Sequence, residues 1–121
     1  MDLSTMLYGA TLSALLAGVL VALTAGPHRV ATTLTAVAAA FLGPLAWNSV
    51  LRSTNATGAF SHDAPFPLMP ISWQDTGSGI TTLALAALLL GLGPLQASGR
   101  RTSTVALLPA TAALLIDIYL Y

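Results

Sequence analysis

The sequence contains no cysteine, no glutamate and no lysine, and its charged residues are four aspartates and four arginines. An ordinary soluble domain is about one quarter charged, whereas only 7% of this 121-residue chain is charged. So few charges cannot cover the surface of a water-soluble globule, which excludes a free cytosolic enzyme. The lack of cysteine excludes disulfides, thiolate nucleophiles and cysteine-ligated zinc or iron–sulfur sites.

The charge balance and the hydropathy exclude two further classes of protein. Four basic residues set against four acidic ones provide no positive surface for nucleic acid, so we expect no nucleic-acid partner. Disordered chains are poor in apolar residues, but 55% of this chain is hydrophobic and its mean hydropathy is +0.81. The composition therefore predicts an integral membrane protein that contacts the lipid bilayer.

Four apolar stretches are candidates for transmembrane helices, each of which needs about 20 mostly apolar residues. We predict spans at residues 3–25, 30–51, 80–95 and 104–121, with a loop over residues 53–79. The predicted fold class is an all-α integral membrane protein in which four transmembrane helices form two out–in–out hairpins. One long extracytoplasmic loop, rich in proline and aromatic residues, joins the hairpins, and residues 1–121 form a single membrane domain.

The arginines predict the orientation of the chain. Arg29 lies in the turn after the first span, and Arg100 and Arg101 lie in the turn after the third, whereas the opposite side has Arg52 as its basic residue. Cytoplasmic turns are enriched in arginine and lysine. We therefore expect a multi-pass protein with both termini and the long loop outside. The alanine-rich, lysine-free composition favours a bacterial inner membrane.

Small residues recur at every fourth position of the first span: Ala10, Ala14, Gly18 and Ala22. Membrane helices associate by close packing of small residues, because lipid is as apolar as leucine. Two interpretations stay open for this face. It packs within the protein's own four-helix bundle, or it docks onto another membrane protein.

The long loop mixes aromatic, acidic and proline residues. We predict an external strap across the outer ends of the helices, with candidate residues Phe60, His62, Asp63, Phe66, Trp73 and Asp75. The aromatic rings would anchor it at the membrane boundary, and Asp75 or Thr76 would cap the third span. A partner-docking surface and a small-molecule site remain alternatives for this loop. Its one histidine and two carboxylates match no recognised metal-ligand spacing, so we expect no metal, cofactor or catalytic residue here.

Two further features concern the relation between the hairpins. Arg52 and Asp117 end the second and fourth spans on the same side, so we predict that they form an ion pair, unless each reaches water separately. The segments Thr32–Val37 and Thr102–Ala106 follow the two turns with similar sequences. They hint at two parallel repeats, although residues as common as alanine and threonine also match by chance.

The sequence favours a non-catalytic accessory or structural subunit of a larger bacterial inner-membrane complex. Envelope lipid-transport and respiratory assemblies are the first candidates, and the partners would be larger membrane-protein subunits. The alternative is a small homo-oligomeric four-helix transporter or channel. That function needs a polar path through the membrane, and before the last turn of the fourth span the four predicted spans contain no charged residue.

The predicted orientation can be tested by labelling single cysteines introduced into this cysteine-free chain. A cysteine at position 61 should react with an impermeant reagent added outside the cell, and a cysteine at position 98 should not. Labelling of position 98 without labelling of position 61 would show that the chain has the opposite orientation.

Overall fold

The computed structural model describes residues 2–24, 26, 28–60, 62, 69–93 and 98–120. The regular secondary structure of these residues is helical: α1 is Leu3–Thr24, α2 is Arg29–Ser53, α3 is Thr57–Phe60, α4 is Trp73–Leu92 and α5 is Gly99–Leu120. Within the described part of the chain, α1, α2, α4 and α5 are long and apolar enough to cross a membrane. This confirms the all-helical, four-span part of the predicted fold class.

The four long helices form a bundle in the order α1, α2, α4, α5 around its circumference, and α2 also touches α5 across the diagonal. Successive helices run antiparallel; Gly79 lies against Leu114, for example, and Gly91 lies near Thr102. We call the end that contains the 24–29 and 93–99 connections the hairpin end. The opposite end is the loop end, which contains residues 54–72, the start of α1 and the end of α5.

Alanine dominates the core of the bundle. Three clusters of buried side chains occupy the interior: Ala39, Ala86, Leu90 and Ala106; Ala17, Ala40 and Ala112; Val21 and Ala36. Small side chains let helix backbones approach closely, which increases van der Waals contact between them. Many bulky side chains point outward instead, and Leu15, Leu23, Leu34 and Leu92 are among the exposed ones. This distribution suits a bundle whose solvent is lipid.

Two aspartate-containing motifs begin the first and third long helices. Hydrogen bonds from the Thr5 side chain and backbone and from the Ser4 hydroxyl lower the pKa of Asp2 to about 2. At α4, Asp75 N–H donates to Ser72 Oγ (3.2 Å) and Ser72 N–H donates to Asp75 Oδ2 (2.8 Å). This reciprocal pair is a capping box, which satisfies backbone N–H groups that lipid cannot.

Helix α4 begins seven residues before the predicted third span, at Trp73 rather than near Ile80. The sequence predicts a loop over residues 73–79 because all but Trp73 are polar or glycine. The structure makes them helical since Gln74, Asp75 and Ser78 are all buried inside the bundle, where lipid does not reach them. The 20 residues of α4 extend about 30 Å, a full crossing. Helix α5 also begins earlier than predicted, at Gly99 rather than near Thr104.

Six of the seven buried positions of α1 have a buried counterpart in α4 at a separation of 69 residues. The pairs are Met6 and Asp75, Gly9 and Ser78, Ala10 and Gly79, Ser13 and Thr82, Ala17 and Ala86, and Val21 and Leu90. Any helix facing a bundle core buries every third or fourth residue, so two such helices can always be aligned at some constant separation. The two parallel repeats stay a prediction.

Gly43 marks a close approach of α2 and α4 and offers a test of the packing. A Cβ at this position would lie 2.7 Å from Thr82 Cα, which is backbone and cannot move aside cheaply. We expect Gly43→Ala to lower the stability of the purified protein by about 1–3 kcal/mol, measured by unfolding in detergent. Gly58→Ala is the control, because a Cβ there meets nothing within 4 Å. Equal stability of the two variants would contradict the close approach.

Candidate functional site

A set of buried polar side chains lies in the half of the bundle nearer the loop end. We call it the polar cluster, and its members are Asn48, Ser72, Gln74, Asp75, Ser78, Thr82 and Asp117, each at most 9% exposed. They come from α2, from α4 with its cap, and from α5. Polar groups inside a membrane protein are costly and face the bundle interior, so such a cluster is the first place to look for function.

One hydrogen bond in the cluster joins two helices. Gln74 Nε2 donates to Asn48 Oδ1 at 2.9 Å, and Asn48 Nδ2 donates to the Pro44 carbonyl oxygen, also at 2.9 Å. The first bond links α4 to α2, and the second orients the Asn48 amide within α2. Gln74 therefore donates to the Asn48 amide oxygen across a buried helix interface.

An aromatic contact lies beside this bond. The Trp47 indole packs over Gly77 so closely that a Cβ on Gly77 would overlap the ring. Phe60 of the short helix α3 meets Trp47 edge to face, with ring centroids 6.2 Å apart and ring planes at 85°. Glycine is thus required on α4 for the Trp47 ring to fit, and Trp47 holds α3 against the bundle.

The rest of the cluster adds hydroxyl groups and a carboxylate. Ser78 Oγ, Thr82 Oγ1 and Trp47 Nε1 are buried with no hydrogen-bond partner among the residues that the structure describes. Asp117, in the last turn of α5, is 3% exposed. A carboxylate and hydroxyl groups in a membrane interior can accept a proton or a cation, so this chemistry bears directly on the transporter alternative.

The polar cluster extends from the loop end to the middle of the bundle, where Thr82 is the tenth of the 20 residues of α4. The core clusters around Ala40 and Leu90 separate it from Thr32, the buried threonine at the hairpin end. In the described part of the chain, no three histidine, cysteine, aspartate or glutamate side chains come together as a metal site would require. Within the cluster Asn48 and Gln74 link α2 to α4, and an apolar layer lies between the cluster and the hairpin end.

The second candidate site is an open groove on the outside of the bundle, between α1 and α2. This α1–α2 groove has a volume of about 410 Å³ and is lined by Thr11, Ala14, Leu15, Gly18, Val19, Ala22, Val37 and Phe41. The predicted small-residue face divides here: Ala10 is buried inside the bundle, whereas Ala14, Gly18 and Ala22 line the groove. A Cβ on Gly18 would lie 3.1 Å from Val37 Cγ2, so the groove is narrow at that point.

The residues of the predicted external strap have different surroundings. Phe60 lies in α3 and is half-buried, and His62 is exposed. Asp63 and Phe66 lie outside the described residues. Trp73 and Asp75 belong to the first turn of α4, so neither is part of an extended strap, because the Ser72 cap starts the helix before them. Asp75 acts at the third position of the capping box, and the N-cap is Ser72 rather than Asp75 or Thr76.

The predicted ion pair joins residues in unlike surroundings. Arg52 lies in the last turn of α2 and is exposed, whereas Asp117 is buried in α5. Their pairing stays a prediction.

Sequence reasoning missed Trp47, Asn48, Gln74, Ser78 and Thr82. A signal for the last three was present, since positions 74, 78 and 82 follow one another at a spacing of four and so share one face of a helix. That face could be recognised only if residues 73–79 were taken as helical.

Comparison with protein-family models, with curated proteins and with solved structures finds no match to this chain. The polar cluster and the α1–α2 groove are therefore the two features from which a function can be inferred.

The bond between Asn48 and Gln74 can be measured by a double-mutant cycle. We expect Asn48→Leu and Gln74→Leu each to destabilise the protein, because each leaves a buried amide unsatisfied. The coupling energy between the two substitutions should be about 0.6–1.7 kcal/mol, the range for hydrogen bonds between membrane helices. Ser49→Ala serves as the control, since its exposed hydroxyl bonds only to the Leu45 carbonyl of the same helix (2.6 Å). Additive losses would mean that the bond contributes nothing to stability.

Proposed function

We propose that this protein is a non-catalytic subunit of a larger membrane complex and that the α1–α2 groove receives a transmembrane helix of a partner subunit. The groove is the observation that carries the proposal. The membrane would be a bacterial inner membrane, with the chain in the N-out, C-out orientation. Envelope lipid-transport and respiratory assemblies are the first complexes to examine.

The lining of the groove suits a helix. Ala14, Gly18 and Ala22 form a floor without bulk, and Leu15 and Phe41 are among the larger side chains beside it. Small residues at four-residue spacing allow the close backbone approach by which membrane helices associate.

The chemistry of the groove also favours an apolar occupant. Its threonine, Thr11, donates its hydroxyl to the Leu7 carbonyl oxygen at 2.7 Å, so that group is satisfied within α1. The other residues that line the groove have apolar side chains, apart from Gly18, which has no side chain. A partner helix would therefore need no polar group at this contact, and apolar side chains would fill the space.

The polar cluster favours a second candidate function, a small homo-oligomeric transporter or channel. Asp117 and the Ser78 and Thr82 hydroxyl groups are the groups that a proton or cation would use. The apolar core clusters around Ala40 and Leu90 lie between these groups and the hairpin end, so conduction would require the helices to move apart. We therefore rank this function second.

The experiment compares two alanine-to-leucine variants purified in mild detergent from the native host. Ala22→Leu fills the groove, and Ala84→Leu adds the same bulk at an exposed position of α4 outside it. We expect the wild type and Ala84→Leu to purify with a stoichiometric partner subunit. Ala22→Leu should weaken that association by about 1–3 kcal/mol, the cost of overpacking. Thermal unfolding of each isolated variant shows whether its own fold is intact.

Two outcomes would contradict the proposal. One is retention of the partner by Ala22→Leu with unchanged affinity, which would place the contact elsewhere. The other is purification of the wild type as a small homo-oligomer without a partner, which would favour the transporter or channel. In that case, ion or proton flux through reconstituted vesicles should depend on Asp117 and fall in Asp117→Asn.

A further inference from the structure

The hairpin end of the bundle carries a cavity that the proposed function does not use. It lies between the end of α1 and the first turns of α5 and has a volume of about 370 Å³. We call it the arginine cavity, and its lining residues are Thr24, Gly26, Ser98, Arg100, Arg101, Thr104 and Val105. Because α1 ends at Thr24 and α5 begins at Gly99, the cavity lies where two spans end.

The guanidinium of Arg101 is held in place by the bundle. Arg101 Nη2 donates to Thr32 Oγ1 at 3.1 Å, and Thr32 is a fully buried residue of α2. The Arg101 side chain is half-buried, whereas Arg100 beside it is exposed. Three helices thus contribute to the surroundings of these arginines: α1 to the lining, α5 as their own helix and α2 through Thr32.

Charge is separated along the length of the bundle. Arg29, Arg100 and Arg101 lie at the hairpin end, and residues 3–62 and 76–116, which include every segment that forms this end, contain no aspartate or glutamate. The carboxylates of Asp2, Asp75 and Asp117 all lie at the loop end. The hairpin end therefore has a positive potential, which attracts anions.

We propose that the arginine cavity binds a phosphate group and that its source is the headgroup of an anionic phospholipid. Arginine recognises phosphate through paired N–H donors, and a partly anchored guanidinium loses less freedom on binding than a mobile one. The ends of transmembrane spans lie at the depth of lipid headgroups, where clustered basic residues bind anionic lipids. The lipid supplies the negative charge that the chain does not provide at this end. The inference does not depend on the proposed function.

The test is lipid titration of the purified full-length protein, followed by native mass spectrometry. Dioleoyl-phosphatidylglycerol should bind more tightly than dioleoyl-phosphatidylcholine, whose choline neutralises the same phosphate. Arg100→Gln and Arg101→Gln should each weaken phosphatidylglycerol binding about fivefold. Arg52→Gln makes the same change in net charge at the loop end and should leave binding unchanged. Arg100→Gln keeps the hydrogen bond from Arg101 to Thr32, so this variant still tests the site if Arg101→Gln fails to fold.

Inorganic phosphate distinguishes the two sources of the ligand. Weak displacement of phosphatidylglycerol at millimolar phosphate, absent from the arginine variants, would support recognition of the phosphate within a lipid headgroup. Tight binding of inorganic phosphate through the same arginines, without preference for phosphatidylglycerol, would overturn the lipid source and assign the site to a soluble phosphate. Equal losses in Arg100→Gln and Arg52→Gln, or no loss in either arginine-cavity variant, would overturn the site itself.

Discussion

Close contact between helix backbones is the interaction on which the rest of this structure depends. In lipid, burying a leucine gains little, because the acyl chains are equally apolar, so helices must associate through van der Waals contact at short range. The alanine core permits that approach, Gly43 lies against the Thr82 backbone, and the Trp47 ring packs on Gly77. Both contacts join α2 to α4, the two helices that the long loop separates in sequence. Their packing brings Asn48 within hydrogen-bonding distance of Gln74 and so creates the polar cluster.

The four apolar helices could be predicted from composition because hydropathy measures how favourable it is to transfer each side chain from water into lipid. The same rule failed at the start of α4, where Gln74, Asp75 and Ser78 have the composition of a loop. Their helical state depends on a tertiary fact, namely that α2 presents Asn48 and Trp47 to that face and shields it from lipid. The capping box at Ser72 is a local signal, but it resembles other serine- and aspartate-containing turns until the helix after it is recognised.

The small-residue face of α1 shows a second kind of limit. A spacing of four identifies a smooth helix face, but it does not say which neighbour covers that face. Ala10 faces the bundle and Ala22 faces the groove because the stripe turns gradually around the helix, as 3.6 residues per turn requires. The arginine cavity also could not be predicted from the sequence, because Arg101 is held there by a hydrogen bond to Thr32, 69 positions away. The arginines could be counted from the sequence, but their convergence with α1 and α2 could not.

Helices α1 and α4 differ in the polarity of what they bury, which bears on how a chain of this kind would enter a membrane. The buried face of α1 begins with Met6 and Gly9, whereas that of α4 begins with Gln74, Asp75 and Ser78. Ribosomal synthesis delivers the apolar hairpin first. Asn48 of α2 has already been synthesised when α4 follows, so it can accept the hydrogen bond from Gln74. The polar helix α4, which is costly to insert, therefore enters after the helix that it pairs with.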